Sequence, residues 1–423
     1  MKSTAHRRSL LSGVRPAAAL AVIALSGCGG IPWLGGDEDP TPPTPLAKIE
    51  PEIALRELWR QDVGRGTDEK RLHLVPAFTG GRIFTADARG QVTAMAAEDG
   101  RVIWERDLEL PLSGGPAATG DRLVVGSTKG DLIALSVQDG SELWRARTES
   151  EILSVPQLGE GLVVVHTLDD SVYAFAADSG EQRWRFTHQA PVLILRGSST
   201  PALLPDGAIV GLTGGLLVKL GLDEGIPLWT VRITPPMGRS ELERITDIDA
   251  DPVVVGDTAY IGTYNGDLAA VDRQSGAVLW RRTLSVYAGL AADDDSLYIT
   301  DAQDHVWAAD QATGAGRWQQ EGLAYRHLSA PALYGDLVLV GDLDGYLHGL
   351  ARADGHLAAR ARVGKDPISA RPVVRDGRVY VLADDGTLTA WTRRHGAIGR
   401  TAGADTADGG ATSAAVEDAR RAP

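Results

Sequence analysis

The chain has 423 residues, 43% of them apolar and 50 of them glycine, with a net charge of −14 and a single cysteine. That length and apolar content suffice for one large core. The negative charge argues against nucleic acid or an anionic lipid surface as the main partner, and a lone cysteine rules out an intramolecular disulfide.

Residues 1–27 read as an export signal, with His6-Arg7-Arg8 and Arg15 as a basic region and Ala17 to Leu25 as an apolar run too short to span a bilayer comfortably. The signal ends in Leu25-Ser26-Gly27-Cys28, which resembles the bacterial lipobox and implies that Cys28 is lipidated and becomes the mature N-terminus. Gly29 follows where lipoproteins kept in the inner membrane usually carry Asp, so the same resemblance implies the periplasmic face of the outer membrane. Arg7-Arg8-Ser9-Leu10-Leu11 also resembles a twin-arginine signal. Residues 28–51 form a tether, in which Asp37-Glu38-Asp39-Pro40-Thr41-Pro42-Pro43-Thr44-Pro45 is acidic, rich in proline and biased to extended chain.

From residue 52 to 400 the chain repeats one unit eight times. The units begin at Pro76, Pro116, Pro156, Pro201, Pro252, Leu290, Pro331 and Pro372 and end 28 residues later, at Trp104, Trp144, Trp184, Trp229, Trp280, Trp318, Ala359 and Arg400. Each holds short Val, Ile and Leu runs between glycine turns, the pattern of consecutive hairpins. A small residue such as Ala94, Ala134 or Ala174 stands six positions before a glycine such as Gly100, Gly140 or Gly180, and the Trp follows four later. Lys219 is the exception at the small position. Glycine there suits a turn closed to residues with a Cβ, and the indole is expected to pack over the small side chain of a neighbouring sheet.

The last two units lack the Trp, yet an orphan Trp59 lies upstream in Leu55-Arg56-Glu57-Leu58-Trp59-Arg60-Gln61-Asp62-Val63. This segment should supply the outermost strand of the eighth sheet and close a ring. The predicted fold is all-β: an eight-bladed β-propeller of four-stranded antiparallel blades, nearly free of helix. Residues 401–423, rich in Ala, Gly and Asp, read as a disordered tail.

No catalytic constellation emerges, and no cofactor or metal is expected. The nine histidines show no metal-ligand spacing. Asp342-Leu343-Asp344-Gly345 hints at a calcium loop but falls where other units place a hairpin turn, as at Asn265-Gly266. The ring departs from its own symmetry at its connectors. Most run 10 to 13 residues from the Trp position to the next unit, but Trp184 to Pro201 takes 17 and Trp229 to Pro252 takes 23. These two flank one blade, so their extra residues should project together, as insertions at a binding face do. The first carries Val192-Leu193-Ile194-Leu195-Arg196-Gly197, apolar side chains beside a cation. The second carries the densely charged run from Arg239 to Asp251.

The Ala-x4-Asp/Ser/Thr-Gly-x3-Trp repeat resembles the pyrroloquinoline-quinone-type propeller repeat. Together with the lipobox, Leu193-Ile194-Leu195-Arg196-Gly197 and Ser240-Glu241-Leu242-Glu243-Arg244-Ile245-Thr246-Asp247-Ile248-Asp249, it resembles the BamB family of outer-membrane β-barrel assembly lipoproteins. The resemblance implies a non-enzymatic scaffold, one copy per complex, that binds the periplasmic POTRA domains of BamA alongside other Bam subunits. It also implies help in delivering unfolded outer-membrane proteins. Carried over by position, the contact residues are Leu193, Leu195, Arg196, Asp247 and Asp249. The two leucines would supply desolvated area, Arg196 would pair with an acidic or carbonyl group, and the two aspartates would either meet basic residues or brace Arg196. A quinoprotein dehydrogenase is the enzymatic alternative, but its vicinal disulfide is impossible with one cysteine. A propeller binding peptidoglycan or another envelope component is the third reading.

Overall fold

The computed structural model describes residues 41–191 and 193–394. The signal, Cys28, most of the tether, Val192, Gly396 and the tail lie outside the described residues. Eight sheets follow one another along the chain, seven of them built from consecutive antiparallel strands. Blade 1 is typical, with strands Ala77–Thr79, Arg82–Ala86, Gln91–Ala96 and Val102–Asp107. Among the described residues the only helical turn is the three-residue Thr213–Gly215.

The eighth sheet takes its outer strand from the other end of the chain. Leu55–Asp62 pairs antiparallel with Thr387–Arg393, and Trp59 lies opposite Ala390. An open ring would expose two sheet edges to intermolecular pairing, and this strand covers the eighth blade as its own outer strand covers each of the others.

Blades are joined by a repeated contact. Gly100, Gly140, Gly180, Gly225, Gly276, Gly314 and Gly355 all adopt φ between +66° and +79°, and a Cβ at any of them would come within 2.4–2.8 Å of the preceding blade's indole. The small residue lies instead opposite the Trp in its own sheet, as Ala94 faces Trp104 and Ala174 faces Trp184. The neighbour's contribution is therefore a bare glycine turn, not a small side chain, because only an absent Cβ lets the ring lie flat on the backbone. Six of the indoles also donate across the gap, for example Trp104 Nε1 to Val137 O at 3.1 Å and Trp144 Nε1 to Ala177 O at 3.0 Å. Lys219 fits opposite Trp229 because its buried ammonium reaches Asp206 at 2.8 Å and Arg273 O at 3.1 Å.

Two features depart from the simple repeat. The connector after Trp59 dips into blade 2, where His73–Leu74 pairs in parallel with Gly114 and Gly115 and makes a fifth strand. On its other side Gly114 is packed against the 149–155 connector, where a Cβ would lie 2.3 Å from Ser154 O. The segment before the closing strand, read from composition as tether, is held along blade 7. Thr44 donates to Ala324 O at 3.0 Å, Arg326 Nη1 to Thr44 O at 3.0 Å and Arg360 Nη1 to Ala47 O at 2.7 Å, while Leu46 packs against the core cluster that contains Leu323 and Leu328. Proline-rich chain makes few hydrogen bonds of its own, so its carbonyls are free to be caught by arginines.

Candidate docking surface

The two long connectors emerge on either side of blade 4 and meet over its Thr213–Gly215 turn. Asp247, almost fully buried, makes the junction. Its Oδ2 accepts the N–H of Leu195 at 2.7 Å, and its Oδ1 accepts the N–H of Gly214 at 3.1 Å. The backbone carbonyl of Asp247 takes a third bond, from the N–H of Tyr264 in blade 5 at 3.0 Å. One residue thus fastens the 185–200 connector, the blade 4 turn and blade 5. Burial pushes the Asp247 carboxyl above the usual carboxylate range, and the two N–H bonds oppose that.

A second buried group lies below. His166 places Nε2 3.1 Å from Asp170 Oδ1 and Nδ1 3.1 Å from Ser199 O. Asp170 Oδ2 accepts from Thr213 Oγ1 at 2.7 Å and from Thr213 N–H at 3.1 Å. Burial alone would raise Asp170, but the bond and charge of His166, with Thr213, hold its carboxyl below the usual range. Ser199 in turn exchanges hydrogen bonds with Gly211 of blade 4, fixing the end of the same connector.

The carried-over residues separate into two layers. Leu193 is 42% exposed and Arg196 is exposed, while Leu195 is partly buried. The Arg196 guanidinium does not meet either aspartate. It forms a two-point ion pair with Glu151 of the connector entering blade 3, Nη1 to Oε2 at 2.9 Å and Nη2 to Oε1 at 2.8 Å. Asp249 lies beneath Gly197, where a Cβ would be 2.3 Å from its Oδ1, and its Oδ2 is buried without a hydrogen-bond partner. Burial, reinforced by the negative charge of Asp247, pushes the Asp249 carboxyl up to about 7. The bracing role expected of the aspartates is therefore exerted by Asp247 on the loop backbone, one residue short of the arginine. Cys28 lies outside the described residues.

Glu151, His166, Asp170 and Thr213 were not singled out from sequence. Their roles depend on three separate connectors converging, and no local spacing signals that. The calcium-like Asp342 turn is a hairpin whose carboxylate is taken up by protein donors: Arg326 Nε and His348 Nε2, both at 2.9 Å, and the N–H groups of Asp344 and Tyr346. Arg360 donates to His348 Nδ1 at 3.1 Å, so His348 is the neutral tautomer carrying its proton on Nε2; burial, the largest influence, lowers its pKa accordingly. Among the described residues no group of three His, Cys, Asp or Glu side chains is placed to hold a metal.

The chain matches the family model described as outer membrane protein assembly factor BamB over residues 56–111, 107–320 and 321–413. It is 46% identical over 379 residues to the outer membrane protein assembly factor BamB of Pseudomonas aeruginosa, covering 89% of this chain and 98% of that one. It is 49% identical over 386 residues to that of Alkalilimnicola ehrlichii, covering 91% and 97%. The crystal structure of BamB from Moraxella catarrhalis superposes with a TM-score of 0.73 at 27% identity, over 80% of this chain and all of that one (100%). A quinohemoprotein alcohol dehydrogenase from Pseudomonas putida shares the fold with a TM-score of 0.67 but only 14% identity, over 84% of this chain and 78% of that one. On sequence over nearly its full length and on fold, the chain belongs to the BamB family of outer membrane protein assembly factors.

Proposed function

We propose that this chain serves outer-membrane protein assembly by presenting the Leu193–Gly197 loop to a POTRA domain of BamA, as a scaffold that makes and breaks no covalent bond. The family is one of non-enzymatic assembly factors acting at the outer membrane, and the quinoprotein likeness extends to fold alone. The observation that carries the finer reading is the rigid seat of the loop. Its exposed Leu193 and Arg196 stand over a backbone held by Asp247, so little ordering cost remains when a partner arrives. Lipidation at Cys28 and a tether beginning there would keep the ring at the periplasmic face of the membrane. Assembly with other Bam subunits, in one copy per complex, belongs to the same reading, as does contact with unfolded outer-membrane proteins.

Calorimetric titration of residues 29–423 with the POTRA segment of BamA from the same organism tests it. Saturable binding that Arg196→Ala abolishes, with thermal unfolding nearly unchanged, is the expected result. Absence of binding by the wild-type chain would move the assignment to another envelope partner and leave the fold untouched.

A further inference from the structure

The second long connector carries more than the Asp247 clamp. Between the buried pair Ile233–Thr234 and the buried run 245–248, residues 235–244 are all exposed. Both legs of this excursion are fixed. Ile233 N–H donates to Gly215 O at 2.7 Å, Thr234 Oγ1 meets Thr263 Oγ1 at 2.8 Å, and Ile248 N–H donates to Leu212 O at 3.3 Å.

The tip is fixed as well. Ser240 and Glu243 form a capping box: Glu243 N–H donates to Ser240 Oγ at 3.2 Å, and Glu243 Oε2 accepts the N–H groups of Arg239 at 2.6 Å and Ser240 at 3.4 Å. Arg244 pairs with Glu241 at 2.9 Å and donates to Gly238 O at 3.2 Å. Glu241, Glu243 and Arg244 are thus occupied within the tip, and what it offers outward is apolar apart from the Arg239 guanidinium. Met237 is 73% exposed and Leu242 69%, more than any other large apolar side chain among the described residues. Large apolar groups held in water on a rigid support mark a contact site, because burying them gains area without an ordering penalty.

We propose that Met237 and Leu242 form a second apolar contact for the same POTRA domain that takes the Leu193–Gly197 loop. This rests on the reading above and extends it to a named surface. Continuity argues for one occupant: the tip rises on the connector whose base, Asp247, grips Leu195, and Pro191 of the first connector approaches the same Gly214 to which Arg232 of the second donates. The complementary surface on the partner is apolar beside an acidic or polar group able to meet Arg239, which is exposed and donates within the tip through its backbone N–H, whereas Arg244 is paired with Glu241.

The test is calorimetry with the POTRA segment on residues 29–423 carrying Met237→Ser and Leu242→Ser together. Leu279→Ser is the control, being 56% exposed on the outer strand of blade 5. Affinity should fall at least about tenfold in the double variant and stay unchanged in the control, with both melting like wild type. Wild-type affinity in the double variant, while Arg196→Ala still abolishes binding, overturns the second contact and leaves the first. No binding by the wild-type chain overturns both. Sedimentation with phosphatidylethanolamine–phosphatidylglycerol vesicles is the counter-probe. Vesicle binding that the double variant loses would assign the tip to a membrane and overturn the proposal.

Discussion

Asp247 Oδ2 accepts the backbone N–H of Leu195 at 2.7 Å, and that bond joins two connectors through residues 52 apart in sequence. A carboxylate satisfies both Leu195 and Gly214, whereas a methyl group satisfies neither. Asp247→Ala should therefore cost about 2–3 kcal/mol of stability, read from urea unfolding, through one buried and one partly buried N–H group left unpaired. It should also release the loop, so that its partner affinity falls even though residue 247 is buried beneath the surface. Unchanged stability would mean that the loop is not seated by this residue.

The Arg196–Glu151 pair leads to a different expectation. Its arginine is half in water, so the pair should contribute at most about 1 kcal/mol to folding, and Arg196→Ala and Glu151→Gln should both melt close to wild type. In partner binding the two should couple. Glu151 holds the guanidinium in one orientation, and its loss should weaken affinity about three- to tenfold by freeing that side chain. Wild-type affinity in Glu151→Gln would show that Glu151 plays no part in aiming Arg196.

Asp249 supplies a pH signature. Its carboxyl is raised from 3.8 to about 7, so the folded protein holds this proton more tightly than the unfolded chain does. The stability it contributes is fully present below about pH 4, falls as pH rises towards 7, and is lost above that. Asp249→Asn removes the ionisation. The variant should match wild type near pH 4 and exceed it at pH 8, by at most about 4 kcal/mol, as measured by urea midpoints across that range. Binding separates support from contact: full affinity in the Asn variant at pH 8 is expected of a buried support, and lost affinity would indicate a carboxylate that meets the partner.

The blades were legible because each is written in the same short code. Glycine at a positive φ and Trp four residues later are local requirements, so they show at fixed spacing, and the orphan Trp59 disclosed the closing strand for the same reason. The long connectors were legible as departures from that code. What joins them was not. Glu151 meets Arg196 across 45 residues, and Asp170 meets Thr213 across 43, and neither pair belongs to the repeated unit. The docking of residues 44–51 was hidden differently: composition describes their intrinsic preference for extended chain, and the arginines that catch them are about 280 and 310 residues away.

The Trp–glycine contact can be separated from the cost of the turn itself. Gly180 has φ +72° and a Cβ there would lie 2.5 Å from Trp144, while Gly161 has φ +75° with nothing within 4 Å. Gly161→Ala should cost about 1–2 kcal/mol, the penalty of a left-handed backbone alone. Gly180→Ala should cost about 2 kcal/mol more, since the indole must move out of its blade interface. Equal losses in urea unfolding would show that the indole yields freely.

Ring closure differs from the six other Trp joints in one bond, and that difference is measurable. Trp104 and Trp59 are both partly buried and both lie on the next blade's glycine, Gly140 and Gly100 respectively. Trp104 Nε1 donates to Val137 O, three residues before its glycine. The corresponding acceptor for Trp59 is Ala97 O, but Arg378 Nη1 already donates to it at 2.9 Å and Tyr380 Oη at 3.3 Å, and Trp59 Nε1 is buried without a partner. Arg82 likewise shares Val137 O with Trp104, and Tyr260 Oη reaches the Trp280 acceptor Gln311 O only at 3.5 Å, so at the closing joint it is the combination of Arg378 with a closer tyrosine hydroxyl that takes up the acceptor. Replacing either Trp by Phe removes similar ring area, but at residue 104 it also removes a hydrogen bond, whereas at residue 59 it removes an unsatisfied donor. Trp59→Phe should therefore be less destabilising than Trp104→Phe by about 1–2 kcal/mol. Tyr380→Phe, by clearing the acceptor, should narrow that gap. If the two Trp→Phe losses are equal in urea unfolding, the N-terminal strand closes the ring with the same bond as the six other Trp joints.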